Sequence, residues 1–183
     1  MSNSQAAPGD APKTWRVARL DQREAAVALE LHSLIQEAQA QESALLEQDA
    51  GESVVRSVAD ISNSPHLYLG VRSASGLLVG ACSVGTDDEP GQLCIHVLVV
   101  HPLFQRRGVA SAVLQHIFRQ GPGLNFAVVA AQANASALAL YTGLGFVPYR
   151  WGTMGPAELA LVKLRRPARP DTLAGHSSST PSS

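Results

Sequence analysis

The chain has 183 residues, 45% of them hydrophobic, which is enough for one domain with a substantial core. Its formal net charge of −1 provides no general attraction to nucleic acid or to anionic membranes, so we expect neither as a partner. No apolar run reaches the roughly 20 residues that span a bilayer, and the polar N-terminus lacks the apolar centre of a signal peptide, which favours a cytoplasmic location.

The two ends of the chain are predicted to be disordered tails. Residues 1–13 are polar with Pro and Gly, and residues 167–183 end in a run dominated by serine. Neither segment carries enough apolar surface to offset the entropy lost on ordering. We therefore place a single folded domain at residues 14–166.

Hydrophobic periodicity predicts elements in the order β-α-α-β-β-β-α-β-α-β-β. After a strand at 15–20, Asp21 is expected to cap a helix that runs to about Gln41. The helically spaced positions of this helix are Ala25, Leu29, His32 and Ile35. The remaining predicted elements are a helix at 53–61, strands at 66–72, 77–86 and 93–100, a helix at 108–120, a strand at 126–132, a helix at 136–144, and strands at 147–151 and 159–164.

This order predicts a mixed α/β sheet of six to seven strands, mostly antiparallel, with helices on both faces. Short turn-rich loops join the second, third and fourth strands as hairpins. A strand–helix–strand crossover then favours parallel pairing of the fourth and fifth strands.

The chain contains two cysteines, Cys82 and Cys94, and neither belongs to a CxxC pair. A structural zinc site is therefore not expected, and no other metal is. Buried free thiols are favoured over a disulfide between neighbouring strands.

The segment at 101–111 lies between a strongly apolar strand and a helix. Gly108 relaxes the backbone where the helix begins, and small residues follow it. A helix start exposes unpaired N–H groups and the positive end of the helix dipole, which together can bind an anion. The main-chain N–H groups from Arg107 to Ser111, with Arg106 beside them, are candidates for holding a pyrophosphate. The alternative is an ordinary strand–loop–helix junction with solvated arginines.

The spacing Gln105-x-x-Gly108-x-Ala110 resembles the [RQ]-x-x-G-x-[GA] motif of the GCN5-related N-acetyltransferases, the GNAT superfamily. In that family the turn follows the fourth strand and binds the pyrophosphate of acetyl-CoA. The resemblance implies acetyl-CoA as the acetyl-donating cosubstrate. The contacts implied at this turn are Gln105, Arg106, Arg107, Gly108, Val109, Ala110 and Ser111.

A second motif occupies 134–146. Asn134 can cap the helix there, and Tyr141 lies about two turns later on the same face. By itself this pattern also fits a capped helix with a buried tyrosine. The stretch resembles the family signature N-x-x-A-x-x-[LF]-Y-x-x-x-G-F, which implies that Asn134 contacts the cofactor and that Tyr141 is the general acid for the leaving thiolate. The resemblance extends over roughly residues 14–166.

The general base is less plainly indicated. Many relatives carry a glutamate on the fourth strand, where this chain has no carboxylate but has His96, and histidine titrates near neutrality. The segment at 96–104 resembles the arylalkylamine N-acetyltransferases, whose strand carries two histidines spaced i, i+2. His96 matches the second of them, and Cys94 stands in place of the first. His96 is predicted as the base or a water-orienting group, with a structural histidine as the alternative, and His101 as a loop residue.

The resemblance also implies a bulge around Leu98–Val99 that splays the fourth and fifth strands, so that the pantetheine arm pairs there like a strand. Main-chain groups of Leu98, Val99 and Val100 would then contact the cofactor and its thioester carbonyl. A covalent acyl-enzyme at Cys94 is disfavoured, because no base or orienting partner for the thiol is visible.

The sequence thus predicts an acetyl-CoA-dependent N-acetyltransferase that acts on a primary amine by direct attack in a ternary complex. A protein N-terminal acetyltransferase and a catalytically idle acyl-CoA-binding regulatory module are the alternatives. The acceptor is expected to be a small amine or a peptide amine, and the oligomeric state is left open, with a homodimer as one alternative.

Overall fold

The computed structural model describes residues 15–46, 57–156 and 158–168, which contain seven strands and four helices. The predicted tails lie outside these ranges, except for residues 167 and 168. The strands are β1 (Val17–Leu20), β2 (Leu67–Arg72), β3 (Leu78–Thr86), β4 (Gln92–Val100), β5 (Asn125–Ala131), β6 (Val147–Met154) and β7 (Leu159–Arg166). The helices are α1 (Ala25–Leu46), α2 (Val58–Ser62), α3 (Val109–Gln120) and α4 (Ala135–Gly143).

All seven strands join one sheet in the order β1-β2-β3-β4-β5-β7-β6. Every neighbouring pair is antiparallel except β4 and β5, which run parallel, so the predicted mixed sheet is confirmed. Of the described helices, none is long and apolar enough to cross a membrane.

Two hydrophobic clusters form on the two faces of the sheet, as the predicted arrangement of helices requires. One cluster centres on α3 and contains Leu114, Phe126 and Phe146. The other centres on α1 and contains Leu31 and Tyr68. The sheet is therefore the middle layer between helices on both faces.

Helix α1 differs from its prediction in start and in buried face. Asp21 forms a turn instead of a cap: its Oδ1 accepts from the Arg23 N–H at 3.1 Å, and its carbonyl accepts from the Glu24 N–H at 3.1 Å. The helix begins four residues later, at Ala25. Leu29 is 56% exposed, because an apolar stripe at i, i+3, i+6 and i+7 packs on the sheet instead. That stripe consists of Ala28, Leu31, Leu34 and Ile35.

A bulge interrupts the pairing of β3 with β4. Ser83 pairs with Val97 while the next residue, Val84, pairs with Ile95, so His96 is the extra residue. The expected position around Leu98–Val99 was therefore wrong. The sequence pattern around 98–99 is uniformly apolar, and only the register against β3 locates the extra residue.

The bulge changes which side chains face which helix. Before it, Ile95 points into the α3 cluster, and strict alternation would send residues 97 and 99 to the same side. After it, Leu98 and Val100 pack against the α3 cluster and Val97 and Val99 against the α1 cluster.

Strands β4 and β5 separate directly after the bulge. Their pairing runs only from Gln92↔Asn125 to Ile95↔Val128. Beyond that point β4 stays with β3, and β5 stays with β7 through Ala131↔Leu161. The result is the predicted splay, a cleft between the C-terminal halves of the two parallel strands.

Candidate active site

A cavity of about 670 Å³, here called the main cavity, lies at the splayed end of β4 and β5. It brings together three segments that the sequence singled out separately: the end of β4, the turn before α3, and α4. The predicted site residues that line it are those at 98–100, 105, 106, 108–111, 134 and 141. Arg107 and His96 do not line it.

The turn before α3 has the backbone shape of an anion cradle. Gly108 is the N-cap of α3 with φ of +79°, and Arg106 also has a left-handed φ of +60°. A non-glycine residue with positive φ is uncommon and concentrates at functional sites. The first N–H groups of α3 have no partner within the helix, and residues 108–111 at its start line the main cavity. This geometry suits a phosphate or pyrophosphate group.

Contacts from distant parts of the chain hold the turn in place. The indole Nε1 of Trp15 donates to the Arg107 carbonyl at 2.8 Å, and the Arg107 guanidinium lies 5.3 Å from the Phe104 ring centroid. Gln105 Nε2 donates to Gln41 Oε1 on α1 at 2.6 Å. The carbonyl and guanidinium of Arg107 thus support the loop, and Arg107 does not line the main cavity.

His101 has a structural role at the same loop. Its Nδ1 accepts from the Leu103 N–H at 3.2 Å, capping a short 3-10 turn, and its Nε2 lies 3.3 Å from the Glu37 carboxylate. This agrees with its prediction as a loop residue.

Main-chain groups of β4 face the cleft at alternate positions. The His101 N–H donates to the Val79 carbonyl at 2.9 Å, and the register continues as Val100↔Gly80 and Val99↔Ala81. In an antiparallel pair every second residue turns its N–H and C=O to the neighbour, so residues 97, 99 and 101 bond β3. Leu98 and Val100 turn theirs to the cleft. Val99 lines the cavity without a main-chain donor for a ligand.

Helix α4 supplies Asn134 and Tyr141 to the main cavity. Asn134 caps the helix, with its Oδ1 accepting from the Ala137 N–H at 2.9 Å. Tyr141 is 6% exposed, and its ring packs edge-on against Phe146 with centroids 5.6 Å apart. Capping and core packing therefore fix both side chains without preventing either from meeting a ligand in the cavity.

His96 lies at the bulge and lines a second cavity of about 400 Å³. Its Nε2 is 3.2 Å from the Thr86 carbonyl oxygen. A carbonyl only accepts, so this contact places the proton of a neutral ring on Nε2 and leaves the lone pair on Nδ1. The imidazole is thus held in the tautomer with a free basic nitrogen.

The ring of His66, which sequence reasoning missed, stacks on His96 with centroids 4.1 Å apart and an angle of 9° between planes. The stack depends on Gly85, because a Cβ there would lie 2.4 Å from His66 Cδ2. A glycine inside a strand signals a close approach, and this was the one sequence hint available.

Both cysteines are free and buried, as expected. Burial, followed by the negative charge of Asp87, raises the pKa of Cys94 to about 11. Burial likewise raises the pKa of Cys82. Both thiols are protonated at neutral pH, and a thiol is a far weaker nucleophile than a thiolate, so neither fits an acyl-enzyme.

The second cavity has a charged end built around Lys163. Its Nζ lies 2.6 Å from Asp87 Oδ1 and 3.6 Å from Glu89 Oε1, and it also bonds Asp88. Burial alone would lower the pKa of Lys163, but hydrogen bonds to Asp87 and Asp88 raise it well above its usual value. A hydrogen bond from Tyr149 lowers the pKa of Glu89.

Val129 and Leu161 lie on the second cavity's apolar side, alternating with core residues of β5 and β7. The cavity therefore opens on the sheet face that α1 covers elsewhere. In the described part of the chain, no group of His, Cys, Asp or Glu side chains is placed to hold a metal ion.

Comparison with solved structures supports this arrangement at the level of the fold. The chain is similar to a histone acetyltransferase HPA2 and related acetyltransferase from Corynebacterium glutamicum, with TM-score 0.67 and 17% identity over 87% of this chain and 99% of that chain. It is similar to the PaiA N-acetyltransferase from Thermoplasma acidophilum in complex with coenzyme A, with TM-score 0.65 and 15% identity over 84% and 99% of the two chains.

A third similar structure is the ribosomal-protein-S18-alanine N-acetyltransferase from Escherichia coli, with TM-score 0.61 and 16% identity over 88% of this chain and 99% of that chain. A search of curated proteins finds no match. The model of the Acetyltransferase (GNAT) family matches residues 30–146, which include β4, the turn before α3 and α4. The chain belongs to the Acetyltransferase (GNAT) family.

Proposed function

We propose that the protein is an acetyl-CoA-dependent N-acetyltransferase that moves an acetyl group to a primary amine by direct attack in a ternary complex. The observation that carries the proposal is the convergence in one cavity of the turn before α3, the cleft-facing main chain of β4, and Tyr141. These three parts correspond to three needs of the reaction: an anion site, a carbonyl-binding edge and a proton donor.

The residues present fit acetyl-CoA. The left-handed turn at 106–108 and the start of α3 suit a pyrophosphate. Leu98 and Val100 offer main-chain groups to an extended arm lying in the cleft, as a strand edge does to an added strand. Acetyl-CoA bound there would supply the activated thioester.

In this reaction the amine nitrogen bonds the acyl carbon and the carbon–sulfur bond breaks. The Leu98 N–H, which is turned away from β3, would stabilise charge on the carbonyl oxygen, an effect that commonly contributes about 10²–10³ in rate per donor. The Tyr141 hydroxyl gives its proton to the leaving sulfur, since a phenol and a thiolate have comparable basicity.

His96 takes the proton that the amine loses. Its Nε2 is committed to the Thr86 carbonyl, so Nδ1 is the acceptor, acting directly or through a water. Stacking on His66 restricts rotation of the ring. Because His96 lines the second cavity, the amine approaches from that side, opposite the acetyl donor.

The first test is release of free CoA thiol from acetyl-CoA by the full-length protein with a panel of amines and short peptides. We expect turnover with at least one small primary amine and none with its N,N-dimethyl counterpart. Turnover confined to peptide N-termini would favour the N-terminal acetyltransferase alternative. Binding of acetyl-CoA with no turnover on any acceptor would favour a non-catalytic acyl-CoA-binding module.

The base is tested by the pH dependence of kcat/KM. With His96 as acceptor, His96→Gln should change the pH profile of kcat/KM and leave a rate that follows the free amine. Affinity for acetyl-CoA should hardly change. His32→Gln, at a half-buried histidine of α1 that lines neither cavity, is the matched control. A profile that is the same in His96→Gln and in the unaltered protein would assign the proton to bound water.

The cytoplasmic location and the homodimer that the sequence suggested stay predictions.

A further inference from the structure

The His96 ring is held by two contacts of different kinds. Its Nε2 lies 3.2 Å from the Thr86 carbonyl oxygen, and one of its faces lies on the His66 ring, with the two ring planes 9° apart. The hydrogen bond fixes the position of one ring atom but lets the ring pivot about the line between nitrogen and oxygen. The stack fixes the plane of the ring, so the two contacts together define the direction of Nδ1.

His66 is anchored independently of this stack. It lies between α2 and β2, where its N–H donates to Ser64 Oγ at 3.3 Å and its carbonyl accepts from Gln22 Nε2 at 3.2 Å. His66 is half-buried, whereas His96 is the exposed extra residue of the bulge. An exposed side chain can adopt several rotamers, so the His66 ring is the fixed partner and the His96 ring is the one that it restrains.

Gly85 supplies the space for the stack. The pairing of Leu67 with Val84, extended by one residue, places His66 beside Gly85 on the neighbouring strand. A Cβ on Gly85 would lie 2.4 Å from His66 Cδ2 and 2.9 Å from His66 Nε2, which is closer than these atoms can approach. The His66 ring therefore lies over Gly85, and the His96 ring of β4 meets it there. A larger residue at this position would displace the His66 ring.

His66 reaches the candidate site only through His96. Among the described residues that line the main and second cavities, His96 is present and His66 is absent. We propose that His66 is the positioning residue for His96: its ring fixes the plane of the His96 imidazole and so presents Nδ1 to the acceptor amine. This inference rests on the proposed function, in which His96 takes the proton of the amine. What it requires at position 66 is a flat ring.

The first test compares variants that keep or remove this ring. His66→Ala should lower kcat on the best acceptor by about three- to tenfold, since an aromatic pair commonly favours one arrangement by a factor of about 2 to 10. KM for the acceptor and Kd for acetyl-CoA should hardly change, because His66 lines neither cavity. His66→Phe keeps a flat ring and should retain most of the kcat. His116→Ala, at a half-buried histidine of α3 that lines neither cavity, is the matched control and should leave kcat unchanged.

Gly85→Ala breaks the stack by a second route, because the added Cβ displaces the His66 ring. It should lower kcat as much as His66→Ala does. The double variant should lose no more than either single variant, since both substitutions remove the same contact. Additive losses would show that the two substitutions act independently and would overturn the inference.

A measurement without turnover reports on the ring itself. In nuclear magnetic resonance spectra of the full-length protein without substrates, the His96 ring protons, assigned by their loss in His96→Gln, should be shifted upfield by the His66 ring. The shift should persist in His66→Phe and disappear in His66→Ala and Gly85→Ala. Absence of the shift in the unaltered protein, or full kcat in His66→Ala where His96→Gln has lost it, overturns the inference. A kcat that His96→Gln leaves unchanged rejects the proposed base, and the positioning role with it.

Discussion

Tyr141→Phe is expected to lower kcat by about 10²–10⁴-fold while leaving the Kd for acetyl-CoA nearly unchanged. The substitution removes only the hydroxyl, and the ring that packs on Phe146 stays in place. Loss of the proton donor therefore affects departure of the thiolate and not binding. Steady-state kinetics on the best acceptor, with calorimetry for the cofactor, measures the two quantities separately.

The matched control is Tyr68→Phe. Tyr68 is fully buried in the α1 cluster and does not line the main cavity, so kcat should be unaffected. Full turnover by Tyr141→Phe would mean that the thiolate leaves unaided or takes its proton from water. A loss of cofactor affinity equal to the loss of kcat would instead make Tyr141 a binding residue.

Gly108→Glu should weaken acetyl-CoA binding by at least about tenfold, or about 1.4 kcal/mol. The position has φ of +79°, which disfavours any side chain, and a Cβ there meets no atom within 4 Å. The glutamate therefore fits sterically but places a negative charge beside the N–H groups that would hold the pyrophosphate. Calorimetric titration with acetyl-CoA gives the affinity directly.

Gly76→Glu controls for backbone strain and charge, because Gly76 has a similar φ of +86°, also meets no atom within 4 Å, and lies in the distant β2–β3 turn. Its affinity for acetyl-CoA should match that of the unaltered protein. Arg106→Ala should weaken acetyl-CoA binding less than Gly108→Glu, since main-chain N–H groups make most of the contacts proposed between this turn and the pyrophosphate. Unchanged binding in Gly108→Glu would reject this turn as the phosphate site.

The sequence predicted the order of the elements and singled out the turn before α3 and helix α4, which line the main cavity, because these depend on local patterns. In both segments the residues that line the main cavity lie within a short stretch of sequence. Glycine, a capping residue and helical spacing can be recognised there directly. Helix α1 shows the limit: residues such as Leu29 and Leu31 are equally apolar, and only packing on the sheet decides that Leu31 is buried.

Features set by register between strands could not be read from the chain. The bulge at His96 exists only relative to β3, and the His66–His96 stack joins residues that are 30 positions apart. The Lys163 cluster likewise connects β7 to the loop after β3. Neither a lysine in a strand nor an acidic loop is unusual in a sequence. The order of the strands in the sheet brings Lys163 and this loop into contact, and the sequence does not show that order.

The separation of β4 from β5 has a consequence for the level of folded protein in a cell. In the strand pairing of the described sheet, four residue pairs, from Gln92↔Asn125 to Ile95↔Val128, join strands β1–β4 to strands β5, β7 and β6. A molecule bound in the cleft along β4 would contact both parts of the sheet. By binding only the folded state, it would stabilise the folded chain by mass action. Because small changes in stability alter how much protein escapes degradation, its abundance would then follow the supply of acyl-CoA.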